Sequence, residues 1–370
     1  MVTGAADLRA QMKPSVLFVG LATYSRVGGL QNFNRRLIAN LGALVDEGAL
    51  QNCHAHLMDD RASDLPHQPG VDIVGFAQDR AGLILRTLAR SRRSDHLLIG
   101  HINLVLLAGL AKLLRPSLRT TLFVHGDDVW NDGLRAKRPY EPFLLKWVDR
   151  IVSVSTYTAG IMAREYHVPS ERFTIYPNAI DDFAPSGRAT SGHHVLCVTR
   201  LGTGDHRKHV DQLIRAIGEL AARGRPATLS IVGDGPLRPD LEALSHTLKL
   251  EDRVQFLGRV ADEVLDQAYA SSDVFALPSS KEGFGIVYLE AWSHGLPVIC
   301  GSLGAPREII TDGVDGLVAD QSDVSDLADK IDALLSDPLR AREMGQNGCR
   351  KVRRSYLNRN ALENLRPLLS

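Results

Sequence analysis

Short apolar segments rich in Val, Ile and Leu alternate with longer amphipathic segments along the chain. Such short runs are typical of strands buried on both faces, as in a parallel sheet that is covered by helices. In the first half of the chain they predict strands at Ser15–Gly20, His54–Met58, Asp72–Val74, His96–Gly100, Thr120–His125, Arg150–Val154 and Phe173–Ile175. Amphipathic helices fill the intervals, so this half is predicted to be an α/β domain.

The pattern stops at Phe183–Gly192, a segment rich in Pro, Gly and Ser without periodicity, which we predict to be a linker. The alternation then restarts. Helices are predicted at Val210–Arg223 and Leu237–Leu248, and a last amphipathic helix at Tyr356–Leu369. The strands predicted for this half are Val195–Thr199, Thr228–Val232, Val254–Leu257, Val274–Leu277, Pro297–Cys300 and Gly316–Val318.

A chain of 370 residues is long enough for two domains of ordinary size. The predicted fold class is therefore α/β, with two Rossmann-like, doubly wound parallel-sheet domains and a ligand cleft between them. We place the domains at 1–184 and 185–355, followed by the terminal helix at 356–370.

Composition and charge exclude several classes of protein. Lys+Arg and Asp+Glu both number 43, so the chain has no overall field that would collect nucleic acid. The longest apolar stretch, Leu104–Leu114, contains Lys112 and falls short of the roughly 20 residues that a membrane span needs. The start of the chain lacks the apolar run of a secretory signal. We therefore expect a cytoplasmic protein, soluble or peripheral, with structural roles for the scattered cysteines Cys53, Cys197, Cys300 and Cys349.

The richest candidate chemistry lies between Glu282 and Glu290. Gly283 and Gly285 allow a close approach of the backbone to a ligand, and the helix predicted to follow offers unpaired N–H groups to an anion. Glu282 can accept hydrogen bonds from sugar hydroxyls, and Glu290 can reach a ribose diol from within the helix. Spacing alone leaves open that both glutamates are ordinary surface residues.

This segment, extended to Ser272–Ile299, resembles the signature of glycosyltransferase family 4, whose members are retaining enzymes of GT-B fold. Shorter matching segments occur in the same order over nearly the whole chain: Gly28-Gly29, Pro177–Asp181, Thr199–Lys208, Val232–Pro236 and Phe256–Val260. The resemblance implies that the first domain binds the acceptor, that the second binds the donor, and that the terminal helix crosses back to the first domain.

The resemblance also implies roles for individual residues. Arg200 and Lys208 correspond to the basic pair that holds the donor diphosphate, where negative charge develops as the glycosidic bond breaks. Arg207 could share that task, and His209 stands where the family usually has Gly. The implied catalytic residues of the second domain are Arg200, Lys208 and Glu282. The implied donor-binding set is Gly28, Gly29, Gly233, Arg259, Val260, Gly283, Phe284, Gly285, Ile286, Val287 and Glu290.

His125 is the fourth catalytic candidate. A residue at the carboxyl end of a parallel strand faces the crevice where ligands of doubly wound sheets bind, and the resemblance implies a histidine beside the transferred sugar. Asp127 and Asp128 either orient the acceptor hydroxyl or cap a turn. His101 and Asn103 are predicted acceptor contacts.

The implied reaction transfers a hexose from a UDP- or GDP-sugar to a hydroxyl of a glycan or lipid-linked acceptor with retention, typically in bacterial surface polysaccharide or lipopolysaccharide synthesis. We find no Asp-x-Asp pair after a strand and no cluster with metal-ligand spacing, so we predict no metal and no cofactor beyond the nucleotide sugar. An epimerase or phosphorylase of the same fold, and a non-catalytic nucleotide-sugar-binding subunit, remain as alternatives.

One further segment, Arg80–Arg93, is basic and amphipathic. It is predicted either to pack on the sheet through Leu83, Ile84 and Leu88 with its arginines in water, or to contact the anionic inner face of the cell membrane.

Overall fold

The computed structural model describes residues 13–130, 135–184 and 192–370. They form two compact units, one extending to Asn178 and including Asn358–Ser370, the other comprising Ala179–Leu357. The boundaries predicted at 184/185 and 355/356 differ from these by a few residues. The centre of the predicted linker, 185–191, lies outside the described residues, as does most of the chain start.

The first unit is built on a seven-stranded parallel sheet in the order β3-β2-β1-β4-β5-β6-β7. Apolar runs form the central strands, as in β1, where Val16 to Val19 are completely buried. The strands of this unit are β1 (Ser15–Gly20), β2 (Asn52–Leu57), β3 (Val71–Gly75), β4 (His96–Ile99), β5 (Arg119–Val124), β6 (Arg150–Ser153) and β7 (Phe173–Ile175).

Helices cover the sheet of the first unit, and the last one comes from the far end of the chain. Asn358 exchanges two amide hydrogen bonds with Asn40, at 3.0 and 3.1 Å. The Tyr176 hydroxyl donates to the Ala361 carbonyl at 3.0 Å. The helices of this unit are α1 (Gly29–Asp46), α2 (Arg80–Ser91), α3 (Leu106–Leu114), α4 (Glu141–Leu144), α5 (Thr156–Tyr166) and, in chain order last, α13 (Asn358–Leu365).

The second unit has a six-stranded parallel sheet in the order β10-β9-β8-β11-β12-β13. Its strands are β8 (His194–Val198), β9 (Thr228–Val232), β10 (Val254–Gly258), β11 (Val274–Leu277), β12 (Val298–Gly301) and β13 (Gly316–Ala319). Its helices are α6 (Val210–Ala222), α7 (Arg238–Thr247), α8 (Asp262–Ala270), α9 (Ile286–Ser293), α10 (Pro306–Ile309), α11 (Val324–Leu335) and α12 (Pro338–Ser355).

All the predicted strands are present, with ends that shift by two residues at most. The helix predicted over Tyr356–Leu369 is wrong in its extent. Tyr356 leaves the helical conformation at φ −128°, and its carbonyl accepts a hydrogen bond from Ile180 N–H, so α12 ends before it. Pro367 cannot donate to a helical ladder, and α13 gives way to a 3₁₀ turn at Arg366–Leu368.

One helix of the first unit turns leucines toward solvent. Along α3, Leu106, Leu113 and Leu114 are 46, 66 and 42% exposed, and Leu110 on the same stripe is half-buried. We call these four residues the leucine face. Phe143 of the neighbouring α4 is 60% exposed. No helix in the described part of the chain is both long and apolar enough to cross a membrane.

Candidate active site

The order of strands in the second unit creates a crevice at its centre. Strand β8 has β9 on one side and β11 on the other, so the chain leaves β8 and β11 in opposite directions. In doubly wound sheets, ligands bind at such a switch point, beyond the carboxyl ends of the strands. The two segments at this position are 199–209 after β8 and 278–285 after β11. They contain the catalytic candidates Arg200, Lys208 and Glu282 and the first glycine turn of the predicted donor site, Gly283–Gly285.

Hydrogen bonds and one ion pair join these two segments. The Arg207 carbonyl accepts hydrogen bonds from the Ser280 N–H at 2.9 Å and from the Ser279 hydroxyl at 3.2 Å. The Lys208 ammonium donates to Glu282 Oε2 at 2.5 Å, and both side chains are largely buried, with 11 and 19% exposed. The structure thus places two of the predicted catalytic residues in direct contact across the switch point.

Arg200 lies on the same segment and makes a different ion pair. Its guanidinium is 68% exposed and lies 3.4 Å from Asp205 Oδ1. Asp205 in turn accepts the Gly202 N–H at 2.9 Å, which tightens the turn. An exposed pair at this distance contributes little stability, so this contact opposes a reorientation of Arg200 toward an anion only weakly.

Two glycines after β9 permit close backbone packing beside this segment. A Cβ at Gly233, where φ is +133°, would lie 1.8 Å from the Thr199 carbonyl oxygen, and Gly235 is similarly close to Leu201. The predicted donor residue Gly233 therefore has a packing requirement of its own. Arg259 is exposed and Val260 is half-buried just beyond β10.

Gly285 begins helix α9 in a left-handed conformation, with φ +89°. No side chain of the described residues caps this helix, which leaves its first N–H groups and the positive end of its dipole for an anion. Phe284 is buried and packs edge-on against Tyr356 at 6.0 Å, while Ile286 and Val287 are partly exposed. The Glu282 carbonyl accepts the Ala305 N–H, which holds the start of this turn.

Glu290 lies in the second turn of α9, and its partner comes from α8. Its Oε2 accepts the Tyr269 hydroxyl at 3.0 Å. Burial, followed by the neighbouring Glu290, raises the pKa of Tyr269 well above its usual value, so the hydroxyl keeps its proton. Tyr269 also stacks on His294 at 5.3 Å. Sequence reasoning missed Tyr269, Asp205 and Ser280; of these, only Asp205 left a local signal, the short Gly-x-x-Asp turn.

The first unit contains the other predicted residues, at the carboxyl ends of β1, β4 and β5. A buried carboxylate, Asp60, accepts the backbone N–H groups of Thr23, Tyr24 and Ser25 at 2.9, 2.6 and 2.7 Å. This contact holds the loop that leads to Gly28 and Gly29. A Cβ at Gly29 would meet nothing within 4 Å, so the missing side chain leaves open space at the start of α1.

The sequence predicts His125 as the last residue of its strand, whereas β5 ends one residue earlier, at Val124, and His125 follows it directly. Its ring packs edge-on against Phe33 at 4.5 Å, and Nε2 is buried without a hydrogen-bond partner among the described residues. Burial lowers the pKa of His125 to about 4, with Asp128 opposing the shift, so the imidazole is neutral at neutral pH. A buried, unsatisfied ring nitrogen is a feature that a ligand hydroxyl could satisfy.

The remaining candidates of this unit have structural partners. Asp128 Oδ1 accepts the N–H groups of His125 and Gly126 at 2.9 and 2.7 Å, so Asp128 caps the turn. His101 Nδ1 accepts the Asn103 N–H at 3.0 Å, and Asn103 Oδ1 accepts from Arg135 at 3.1 Å. The acceptor roles of His101, Asn103 and Asp127 stay predictions.

Two family models cover most of the chain. Residues 53–182 match the model described as Glycosyltransferase Family 4, and residues 181–351 match that of glycosyl transferases group 1. The chain belongs to glycosyltransferase family 4. Within the described residues, no group of three or more His, Cys, Asp or Glu side chains is arranged to hold a metal ion.

Curated relatives of this family 4 chain include mannosyltransferases. It is 33% identical over 249 residues to the GDP-mannose-dependent alpha-(1-6)-phosphatidylinositol monomannoside mannosyltransferase of Mycolicibacterium smegmatis, a match that spans 62% of this chain and 64% of the relative, which is less than two thirds of the relative's length. It is 30% identical over 348 residues to a GDP-mannose-dependent monoacylated alpha-(1-6)-phosphatidylinositol monomannoside mannosyltransferase of Corynebacterium glutamicum, covering 87% of this chain and 89% of the relative.

Solved structures agree with the fold. The UDP complex of Anabaena HepE superposes with a TM-score of 0.77 over 96% of this chain and 99% of its own length, at 18% identity. The two parallel-sheet α/β units, with seven and six strands, are those of the GT-B fold that the sequence predicted.

The left-handed glycine at the start of α9 can be tested against a matched glycine at its end. Gly285→Ala places a Cβ 2.5 Å from Tyr288, which is fully buried and donates a hydrogen bond to Leu277. Gly295→Ala has the same type of backbone, with φ +72°, but no atom within 4 Å. We expect G285A to destabilise the protein by about 2 kcal/mol more than G295A, because the added methyl overpacks the core. Thermal unfolding monitored by circular dichroism measures both; equal melting temperatures would contradict this account of the turn.

Proposed function

We propose that this chain is a retaining glycosyltransferase that moves a hexose from a nucleotide sugar to a hydroxyl of a lipid-linked or glycan acceptor. The observation that carries the proposal is the contact between Lys208 and Glu282 across the switch point of a family 4 chain. GDP-mannose is the favoured donor, because two of the relatives, with matches over 249 and 348 residues, are GDP-mannose-dependent by name. UDP-sugars are the second choice.

The charges of the site suit a departing nucleoside diphosphate. Breaking the bond between the anomeric carbon and the phosphate oxygen leaves negative charge on that oxygen, and Lys208 and Arg200 supply positive charge next to it. The dipole of α9 adds to theirs. Glu282, held by Lys208, offers its second oxygen to sugar hydroxyls, and Glu290 offers a carboxylate to the ribose.

We propose that the acceptor oxygen attacks the anomeric carbon on the face from which the diphosphate departs, which retains the configuration. The bond from the acceptor oxygen to carbon forms, the bond from carbon to phosphate oxygen breaks, and the nucleoside diphosphate leaves with the hydroxyl proton. A carboxylate nucleophile is unnecessary in this scheme. His125 Nε2 is the candidate partner for a hydroxyl of the transferred sugar.

Donor choice and the role of Lys208 are tested together. We expect GDP to raise the melting temperature more than UDP or ADP, and GDP-mannose to give an α-linked product with a short-chain phosphatidylinositol mannoside.

Lys208→Gln should lower kcat/KM at least 100-fold, because it removes about 3 kcal/mol of charge stabilisation from the transition state. Lys330→Gln is the matched control, since it removes a lysine from a partly exposed ion pair with Asp326 in α11.

The assay also separates the alternatives. An epimerase would convert the nucleotide sugar without an acceptor, and a binding subunit would be stabilised by GDP without forming product. Either result, or full activity of K208Q, would contradict the proposal. A product that NMR shows to have the β anomeric configuration would contradict retention.

Metal independence is a separate expectation. Because Lys208 and Arg200 can balance the diphosphate charge, we expect transfer rates in excess EDTA within twofold of those with added Mg²⁺ or Mn²⁺. Loss of turnover in EDTA and its return on adding a divalent ion would show that this part is wrong.

We also propose that the first unit contacts an anionic membrane surface through the leucine face. Cationic groups border it: the Arg115 side chain reaches the Arg92 carbonyl at 3.4 Å, which places the end of α2 beside that of α3. Lys146 lies over the ring of exposed Phe143 at 5.8 Å. Apolar side chains flanked by cations suit an interfacial position among anionic headgroups. In the arginine-rich helix α2 itself, Leu83 is buried, so this side of the helix packs into the core of the first unit.

Vesicle flotation tests this surface. We expect binding to phosphatidylglycerol vesicles and little binding to phosphatidylcholine, with at least a tenfold loss for Leu113→Ser combined with Leu114→Ser, since burying two leucines contributes several kcal/mol. Arg92→Gln combined with Arg93→Gln should weaken binding to anionic vesicles by a similar factor. The Lys330→Gln variant serves as the control for charge. Unchanged flotation of the leucine variant would remove the leucine face from the proposal.

A further inference from the structure

His209 has an unusual backbone for its residue type. Its φ of 53° and ψ of 37° lie in the left-handed region, immediately after Lys208 and at the start of α6. A residue with a Cβ loses roughly 1–2 kcal/mol in this conformation, which glycine adopts without that penalty. The histidine therefore needs a compensating interaction in this conformation.

The side chain of His209 supplies one. Its Nε2 lies 2.8 Å from the Ser280 hydroxyl, on the segment that follows β11. The Ser280 N–H already donates to the Arg207 carbonyl at 2.9 Å. Residues 207 and 209 are therefore both tied to Ser280, and Lys208 lies between these two attachments with its ammonium on Glu282. With glycine at 209, the hydrogen bond from Ser280 N–H to the Arg207 carbonyl would remain, and the one between residue 209 and the Ser280 hydroxyl would be lost.

We propose that His209 is a positioning residue, which fixes the backbone of Lys208 at the donor diphosphate through its hydrogen bond to Ser280. This inference depends on the proposed function for the identity of the diphosphate. The hydrogen bond itself is a property of the second unit alone. The imidazole of His209 is neutral at neutral pH, because burial lowers its pKa. Asp211 opposes this shift and Arg207 adds to it.

The physical effect is preorganisation. A lysine whose backbone is held on both sides loses less conformational freedom when it engages the leaving group, so more of its interaction stabilises the transition state. The backbone strain at His209 and the hydrogen bond to Ser280 have opposite effects on stability. The substitution His209→Gly removes both the strain and the hydrogen bond. It should therefore leave the melting temperature nearly unchanged while the site loses its rigidity.

The experiment is a double-mutant cycle on His209→Gly and Ser280→Ala, with kinetics for donor and acceptor separately. We expect each single variant to lower kcat/KM for the donor roughly five- to tenfold, the range for one hydrogen bond. The acceptor KM should stay within twofold, and the double variant should be no worse than either single variant. Additive losses, equal effects on both substrates, or full activity of H209G would overturn the proposal.

Hydrogen–deuterium exchange gives a readout that does not need turnover. In H209G and in S280A, the amides of residues 205–209 should exchange faster than in the unchanged protein, while those of α11 should not change. Faster exchange in a chain that transfers no sugar would mean that the proposed function fails and the hydrogen bond stands. Unchanged exchange in both variants would overturn the inference, whatever the activity.

Discussion

The candidate site depends on the attachment of the segment after β8 to the segment after β11. These segments leave neighbouring strands in opposite directions, so the path of the chain alone would let them separate. The Arg207 carbonyl and the Lys208–Glu282 ion pair hold them together. Because both charged side chains are largely buried, loss of either would leave an unpaired charge in a poorly hydrated place. The same contact therefore contributes to the structure and presents the ammonium where a diphosphate would bind.

The side chains of this site differ in how deeply they are buried and in which residues hold them. Lys208 is held by its ion pair, while Arg200 is mostly exposed and lies against Asp205 in a weak contact. Glu290 is oriented from α8 by Tyr269, whose proton is secured by burial. A ligand at this site would meet one largely buried cation, Lys208, one mostly exposed cation, Arg200, and two carboxylates that already accept hydrogen bonds, Glu282 from Lys208 and Glu290 from Tyr269.

The strands could be predicted because a buried parallel strand requires a short apolar run, and few other structures produce that pattern. Lys208 and Glu282 could be predicted because their segments match a family signature. Asp60 could not, since a carboxylate that caps a loop 35 residues or more away in sequence leaves no local pattern. The same holds for Tyr269 and for the break between α12 and α13. The outward leucines of α3 were missed because composition does not indicate which face of a helix meets water.

The pairing of Asn358 with Asn40 has a consequence for how the chain folds during synthesis. The first unit is assembled from both ends of the sequence, with the whole second unit inserted between them. Its sheet can form early, but the surface of α1 that receives α13 stays uncovered until Asn358–Leu365 has been synthesised. Contacts of such high sequence separation form slowly. Helix α13 therefore completes a unit whose other parts are made first, and a nascent chain carries this unit incomplete until the second unit has been synthesised.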